Sequence, residues 1–438
     1  MISSAKDRGT SRARRLPLVR PASKARGSAS RARRPGRPPL RALTPLAVAM
    51  SALALMSCVG AAGQQAAAGQ PAGKPATPGT VDPGTSSSDP AAASPDGLPS
   101  LTPAQEAGQR VIYSYNGLTP PATLLSWIRH GLVGGVVFFG GNISSRAQIA
   151  GVIKQLDRAN ASTQNPMRAF PLLLMTDQEG GAVRRLPGQP VLSEKQIGQS
   201  AHPAAAARTA GTGAGKNLAG VGMNVNLAPV LDVYRRAGNF IDQFGRSYSK
   251  NPSVVSSLGA DFITAQQATG VAATAKHFPG LGAATRSQNT DAGPVTLNVT
   301  LHNLRTIDEF PYRAAITAGV KLVMVSWAKY RALAPNTPAG LSSATVNGEL
   351  RQRLGYTGVT ITDALEAGAL RSFGSTRHRA ILAVKAGMDL ILCSAQKASQ
   401  GQQARIAMAN GLSSGTLNQS VFTAALTRVA NLRSGLGG

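Results

Sequence analysis

Eight short apolar runs, separated by segments of helical period, constrain the fold of this chain more than any other feature. They are Val111–Tyr115, Gly135–Phe139, Leu172–Thr176, Val225–Leu231, Val271–Ala275, Leu322–Ser326, Gly358–Thr362 and Met388–Cys393. Each run is β-prone and continuous rather than alternating, the pattern of strands covered on both faces. Helical stretches such as Ala147–Ala161 and Arg305–Gly319 lie between them. Strand and helix alternating eight times predict an α/β fold, a parallel (β/α)8 barrel of the TIM type. No internal repeat is visible, and the barrel is expected over residues 101–438.

The chain ahead of the barrel reads differently. Its first 42 residues hold 13 Lys and Arg against Asp7 and carry no apolar period, so they are expected to be disordered. Leu43–Ser57 is an apolar stretch too short to span a bilayer, and small residues follow it. Basic region, apolar run and small residues together read as an export signal. Leu55-Met56-Ser57-Cys58 resembles a bacterial lipobox, although Met is unusual before the small residue. On that reading Cys58 is the lipidated first residue of the mature protein. An ordinary cleaved signal and an uncleaved anchor are the other two readings. Residues 59–100, rich in Ala, Gly, Pro, Ser and Thr, read as a flexible tether. The organisation is therefore a basic and signal-like segment (1–58), a linker (59–100) and a catalytic barrel (101–438).

The formal net charge is +27, of which the first 42 residues supply about +12 and the remainder about +15. Such a charge favours retention near polyanions. Nucleic acid is disfavoured, because no basic motif interleaved with aromatics is present and aromatics make up only 4%. An anionic cell envelope is the other candidate. Two cysteines far apart in sequence make a disulfide framework unexpected, and Cys393, inside an apolar run, reads as a buried core thiol. Gly211–Asn217, "GTGAGKN", misses the phosphate-loop pattern at both ends, with Ala210 at the first Gly position and Asn217 in place of Ser or Thr. A small-residue helix surface is expected there instead.

In a barrel, chemistry is found where strands end and loops begin. Five carboxylates meet that criterion: Asp177, Glu179, Asp232, Asp363 and Glu366. Asp389 sits at a strand start and reads as structural. Among the five histidines only His277 directly follows a run; His130, His202, His302 and His378 read as surface residues. In "MTDQEGGAVRRL" an Asp leaves a strand, a Gly pair permits a tight turn and Arg185 follows. An acceptor and a forked donor near one site suit a polyhydroxylated ligand. Asp363 ends the seventh run. Beside Lys276 and His277 its carboxylate would be kept ionised, the state a nucleophile needs. A plain ion pair between Asp363 and Lys276 on the barrel rim is the alternative from spacing alone.

The motifs resemble those of the single-domain bacterial β-N-acetylglucosaminidases of glycoside hydrolase family 3. "DQEGGAVRRL" (177–186), "NLAPVLDV" (226–233), "GNFIDQFGRSYS" (238–249), "KHFPGLG" (276–282) and "ITDAL" (361–365) stand in the family's order across the whole domain. The resemblance implies an Asp363 nucleophile, a glycosyl-enzyme intermediate and net retention. It implies that Asp177, Arg185, Arg246, Lys276 and His277 hold the sugar, that Glu179 and Asp232 brace loops, and that neither metal nor organic cofactor is needed. The expected substrate is a terminal β-linked N-acetylhexosamine, with a peptidoglycan fragment as the natural candidate, cleaved by an exported monomer that meets a membrane only through its N-terminal anchor or signal.

One departure bears on mechanism. Relatives place a catalytic Asp-Ser-His in a mobile loop after the Lys-His motif; here those positions read Ser287-Gln288-Asn289. Asn supplies no proton in this pH range. Trp327 stands where relatives often have His. Asp291, two residues beyond Asn289, is the titratable side chain at hand, and desolvation could raise its pKa to suit an acid; a loop-capping Asp is the alternative. The missing His leaves two rivals open: a non-catalytic sugar-binding barrel, and a β-glucosidase-type hydrolase.

Overall fold

The structure, a computed structural model, describes residues 97–436. The signal-like and lipidation assignments, Cys58 among them, and the tether up to residue 96 lie outside the described residues. Eight parallel strands occupy the eight predicted runs: β1 (Val111–Tyr113), β2 (Gly135–Val137), β3 (Leu173–Thr176), β4 (Val225–Asn226), β5 (Ala272–Phe278), β6 (Leu322–Val325), β7 (Val359–Thr362) and β8 (Ile391–Leu392). They form one sheet in the order β7-β6-β5-β4-β3-β2-β1-β8. A lone parallel bridge from Ile361 to Leu390 links β7 to the approach of β8, so the sheet curls into a nearly closed barrel.

Strand side chains alternate between two apolar layers. Ile112, Val137, Leu173, Met175, Leu322, Met324, Val359 and Ile361 fill the barrel interior. Val111, Tyr113, Leu172, Leu174, Val323 and Val325 point outward into the larger layer beneath the helices. Both layers are apolar, and this explains why the runs show no alternation in sequence.

The helices follow from local signals. In Arg146–Asn160 the Ser145 side chain accepts from the Gln148 N–H as N-cap, and Ile149, Val152, Ile153 and Leu156 form the buried stripe. Gly211–Asn217 lies within the helix Pro203–Ala219, with Gly211, Ala214 and Gly215 buried. The core also reaches back to Leu98, which packs with Met167, Leu426 and Ala430, three residues ahead of the boundary read from composition.

Asp389 closes the end of the barrel opposite the strand C-termini. Its Oδ2 accepts from the Thr360 N–H at 2.8 Å and pairs with Arg351 at 2.5 Å, while Oδ1 pairs with Arg428 at 2.8 Å. Cys393 is a buried free thiol. The four other histidines are exposed, as expected.

Candidate active site

The site is assembled from the C-terminal ends of β3, β4, β5 and β7 and the loops they feed. After β3, Gln178–Gly180 and Val183–Arg184 form a small antiparallel hairpin. Gly180 (φ +113°) and Gly181 (φ +54°) make its turn in backbone conformations that favour glycine. A Cβ on Gly180 would also sit 2.2 Å from the Leu192 carbonyl oxygen. The hairpin turns Glu179 into the protein and brings the Arg185 N–H to the Asp177 carbonyl at 3.2 Å.

Lys276 and His277 lie inside β5 rather than after it. Lys276 Nζ contacts Asp177 Oδ1 and Glu179 Oε1, each at 2.8 Å. It is therefore not paired with Asp363, and the rim ion pair considered from sequence is absent among the described residues. The cause is the hairpin, which offers two carboxylates where spacing suggested one. Glu179 also receives Arg246 through Nε and Nη2, both at 2.8 Å. Burial alone would raise the Glu179 carboxyl, but Arg246 and Lys276 together hold it well below the usual carboxylate range. Burial likewise opposes the charge on Lys276, yet Asp177 and Glu179 outweigh it and raise the ammonium's pKa. Glu179 thus does more than brace a loop: it ties β3, β5 and the loop after β4 into one charged lattice.

His277 belongs to the same lattice. Its Nδ1 lies 2.7 Å from Asp232 Oδ2, and its Nε2 lies 3.4 Å from Arg246 Nη2. A carboxylate on one side and a guanidinium on the other assign the tautomer, with Nδ1–H donating to Asp232 and Nε2 accepting. Asp232 Oδ1 also accepts from the Leu281 N–H at 2.6 Å, which fixes the start of the loop after β5. Towards the barrel mouth, Arg185 Nε stands 4.0 Å from Asp177 Oδ2 and has no hydrogen-bond partner of its own.

Asp363 ends β7. Its N–H donates to the Val325 carbonyl at 3.3 Å, and its Oδ1 accepts from the Ala364 N–H at 2.7 Å. No cation pairs with it among the described residues. The neighbouring Trp327 is fully buried, and its Nε1–H donates to the Ala364 carbonyl at 2.8 Å, pinning the turn that carries Asp363. Glu366 does not reach the centre: it accepts from the Ser394 hydroxyl at 2.7 Å and from Gln400 Nε2 at 3.0 Å.

The loop after β5 folds over this centre. The Gly368 N–H donates to the Asp291 carbonyl at 2.8 Å, and the Ala369 N–H to the Thr290 carbonyl at 2.9 Å, so the loop is stitched to the segment that follows Asp363. Asp291 is brought into electrostatic range of Asp363, His277, Arg246 and Glu366. Desolvation raises its carboxyl to about 6; Asp363 adds to the rise, and His277 and Arg246 oppose it. The residue is still exposed to solvent on one side. The desolvation therefore grows when a ligand displaces that water.

The sequence reading passed over several buried acids, and one of them adjoins the lattice. Glu194 lies in a polar stretch behind the helix cap Ser193 and reads as a surface residue, yet it is 1% exposed. Its Oε1 accepts from the Val230 N–H at 2.8 Å, while burial, reinforced by Glu179, pushes its pKa well up. No signal in the sequence separates it from an ordinary first-turn Glu.

Comparison with known proteins settles the family. The signature of the glycosyl hydrolase family 3 N terminal domain matches residues 109–432. The chain belongs to glycosyl hydrolase family 3. It is 46% identical over 333 residues to an uncharacterized secreted glycosyl hydrolase of Arthroderma benhamiae, covering 76% of this chain and 94% of that protein. Among solved structures, the family 3 β-N-acetylglucosaminidase from Paenibacillus sp. str. FPU-7 superposes with a TM-score of 0.72 at 34% identity, over 77% of this chain and 64% of that one. The β-N-acetylhexosaminidase from Beutenbergia cavernae superposes at 0.69 with 31% identity, over 76% of this chain and 99% of the other. This family 3 member is a glycoside hydrolase of the β-N-acetylhexosaminidase-like type.

Proposed function

We propose that the protein is an exported, retaining β-N-acetylhexosaminidase with Asp363 as nucleophile and Asp291 as acid and base. The observation that carries the reading is the contrast between Asp363 and the other carboxylates at the mouth. Asp177, Glu179 and Asp232 are each committed to a cation or to His277, whereas Asp363 is half-buried at its strand end with no cation paired to it among the described residues.

A terminal sugar sits against the lattice. Asp177 offers acceptor lone pairs, Lys276 has one N–H left after its two carboxylates, and Arg185 and Arg246 supply further donors. Asp363 attacks the anomeric carbon. A carbon–oxygen ester bond forms as the glycosidic bond breaks, and the departing oxygen takes the proton of Asp291. Asp291, now a carboxylate, removes a proton from water. That water attacks the anomeric carbon, the ester breaks, and Asp363 is released with the configuration retained. His277, its two ring nitrogens taken by Asp232 and Arg246, holds Arg246 in place beside the sugar.

Export is supported by the apolar run ahead of Cys58 and by the word "secreted" in the name of the Arthroderma relative. A peptidoglycan fragment is the substrate that fits such a location. The test uses purified protein and an aryl β-N-acetylglucosaminide. Asp363→Asn should abolish turnover while the circular dichroism spectrum is unchanged, and NMR of the wild-type reaction should show the β-anomer first. Retained activity within about tenfold, roughly 1.4 kcal/mol of barrier, or initial release of the α-anomer, would refute the assignment.

A further inference from the structure

Glu194 sits where the hairpin after β3 meets the loop after β4. The segment that carries it is fastened to both. On one side the Gly181 N–H, in the hairpin that holds Glu179, donates to the Val191 carbonyl at 3.1 Å. On the other the Lys195 N–H donates to the carbonyl of Gly245, the residue before Arg246, at 3.1 Å. The short helix Glu194–Gly198 presses on that same loop, so closely that a Cβ on Gly198 would stand 2.0 Å from the Tyr248 carbonyl oxygen. Glu194 is thus held against the two elements that supply the Glu179–Arg246 pair.

Its surroundings do not suit a charge. Oε1 accepts from the Val230 N–H at 2.8 Å, while Oε2 is buried and has no hydrogen-bond partner among the described residues. Arg246 and Lys276 lie within electrostatic range, but Arg246 is bound to Glu179, and Lys276 to Glu179 and Asp177. The Tyr248 hydroxyl also faces it, itself buried without a partner. The other charged groups around this helix are spent on one another: Lys195 pairs with Asp242 at 2.7 Å, and Arg208 with Asp261 at 3.1 Å. A buried acid with no cation of its own, next to a second carboxylate, is held neutral. Burial and then Glu179 are what push its pKa well up.

Neutrality matters because Arg246 and Lys276 are donors to the sugar in the mechanism above. We propose that Glu194 is a positioning residue of the sugar site: uncharged, it leaves Arg246 and Lys276 in the arrangement that meets the sugar, and once charged it competes with Glu179 for both. The inference rests on the reading of that lattice as the sugar site. It adds a second titration, separate from that of Asp291, which acts on binding rather than on proton transfer. The neutral form prevails below its pKa, so the grip on the sugar is intact on the acid side and loosens as pH rises through that value.

Calorimetry with N-acetylglucosamine reads the grip without turnover. For the wild type, Kd should rise about tenfold across the Glu194 titration, the loss expected for one hydrogen bond to a charged group. Glu194→Gln keeps an acceptor for Val230 and cannot ionise. It should match the wild type on the acid side and lack the rise. Asp291 is present in both proteins, so the difference between the two profiles belongs to Glu194. With the aryl glycoside the same rise should appear in KM, with kcat little changed. If Glu194→Gln fails to fold, Glu194→Met takes its place; its Kd is higher throughout, because the Val230 N–H loses its acceptor, and it too should lack the rise. Variant profiles that keep the wild-type shape overturn the inference and leave the glycosidase reading standing. No binding of N-acetylglucosamine at any pH sinks the reading of the site, and the inference with it.

Discussion

At the scale of single residues, the proton is the point most open to experiment. Asp291 lies two residues beyond Asn289, the last of the three positions where relatives are expected to carry Asp-Ser-His, and its carboxyl is raised to about 6. Below that value it is protonated and able to donate. As pH rises through about 6 the donor form is lost, so kcat/KM for a natural disaccharide should fall. The sign for stability runs the same way. The folded value lies above the unfolded one, so this stabilising contribution is present at low pH and fades between about 4 and 6. Asp291→Ala should slow cleavage of a natural disaccharide by about 10²–10⁴-fold and erase the alkaline limb of its pH profile. A nitrophenyl glycoside, whose leaving group departs with little protonation, should barely respond. Equal, weak slowing of both substrates with an unchanged profile would make Asp291 a loop-shaping residue only. Asp363, Asp177, Lys276 and His277 were legible in sequence because each lies at or beside a strand end. Their pairings were not. Glu179 meets Arg246 across 67 positions and His277 meets Asp232 across 45, and no local pattern records which acid a buried cation will choose. Glu194 was hidden for a similar reason, since the N–H it accepts from, that of Val230, is 36 positions away.

Among elements, all eight strands were readable from continuous apolar runs, and their lengths were not. β4 is regular only as far as Asn226, ahead of Pro229, which has no N–H for the ladder; its carbonyls still accept from β5, Ala228 from the Thr274 N–H and Pro229 from the Lys276 N–H, before the bridge Val230–Lys276. β8 shrinks to Ile391–Leu392 as Asp389 turns its carboxylate to Thr360, Arg351 and Arg428. The glycines of Gly211–Asn217 lie in a helix, the small-residue surface read from sequence, and their purpose is contact. A Cβ on Gly211 would stand 2.4 Å from the Phe262 carbonyl oxygen, in the helix Pro252–Gln267 packed alongside. Gly151, in the helix Arg146–Asn160, has nothing within 4 Å of the same position and is exposed. Helix propensity favours Ala over Gly by about 1 kcal/mol at both sites. Gly151→Ala should therefore stabilise the protein by ~0.5–1 kcal/mol. Gly211→Ala should destabilise it by ~1–3 kcal/mol, because two helices must move apart. Urea midpoints of the two variants decide the matter; shifts of the same sign would show that close packing does not govern Gly211.

For the molecule as a whole, charge and anchoring make separable demands. The net charge of +27 is spread over the first 42 residues, with about +12, and the rest of the chain, with about +15. Part of any affinity for an anionic envelope therefore belongs to the folded domain and survives removal of the N-terminus. Ionic retention of that kind is screened once the Debye length falls to ~3 Å near 1 M salt. A lipid on Cys58 would be held by burial of its chains, about 0.8 kcal/mol per CH₂, which salt does not weaken. On the proposed export and lipidation, wild-type protein stays with the membrane fraction through a high-salt wash. Cys58→Ser should stay in low salt through its charge and come off in high salt. Fractionation followed by immunoblotting reads both variants. Wild-type protein found wholly in the cytoplasm refutes export and anchoring together, and protein outside the cell that salt releases refutes the anchor alone. If Cys58→Ser resists the wash as well as wild type does, the apolar run Leu43–Ser57 is itself the attachment, retained uncleaved, and the lipobox likeness is coincidental.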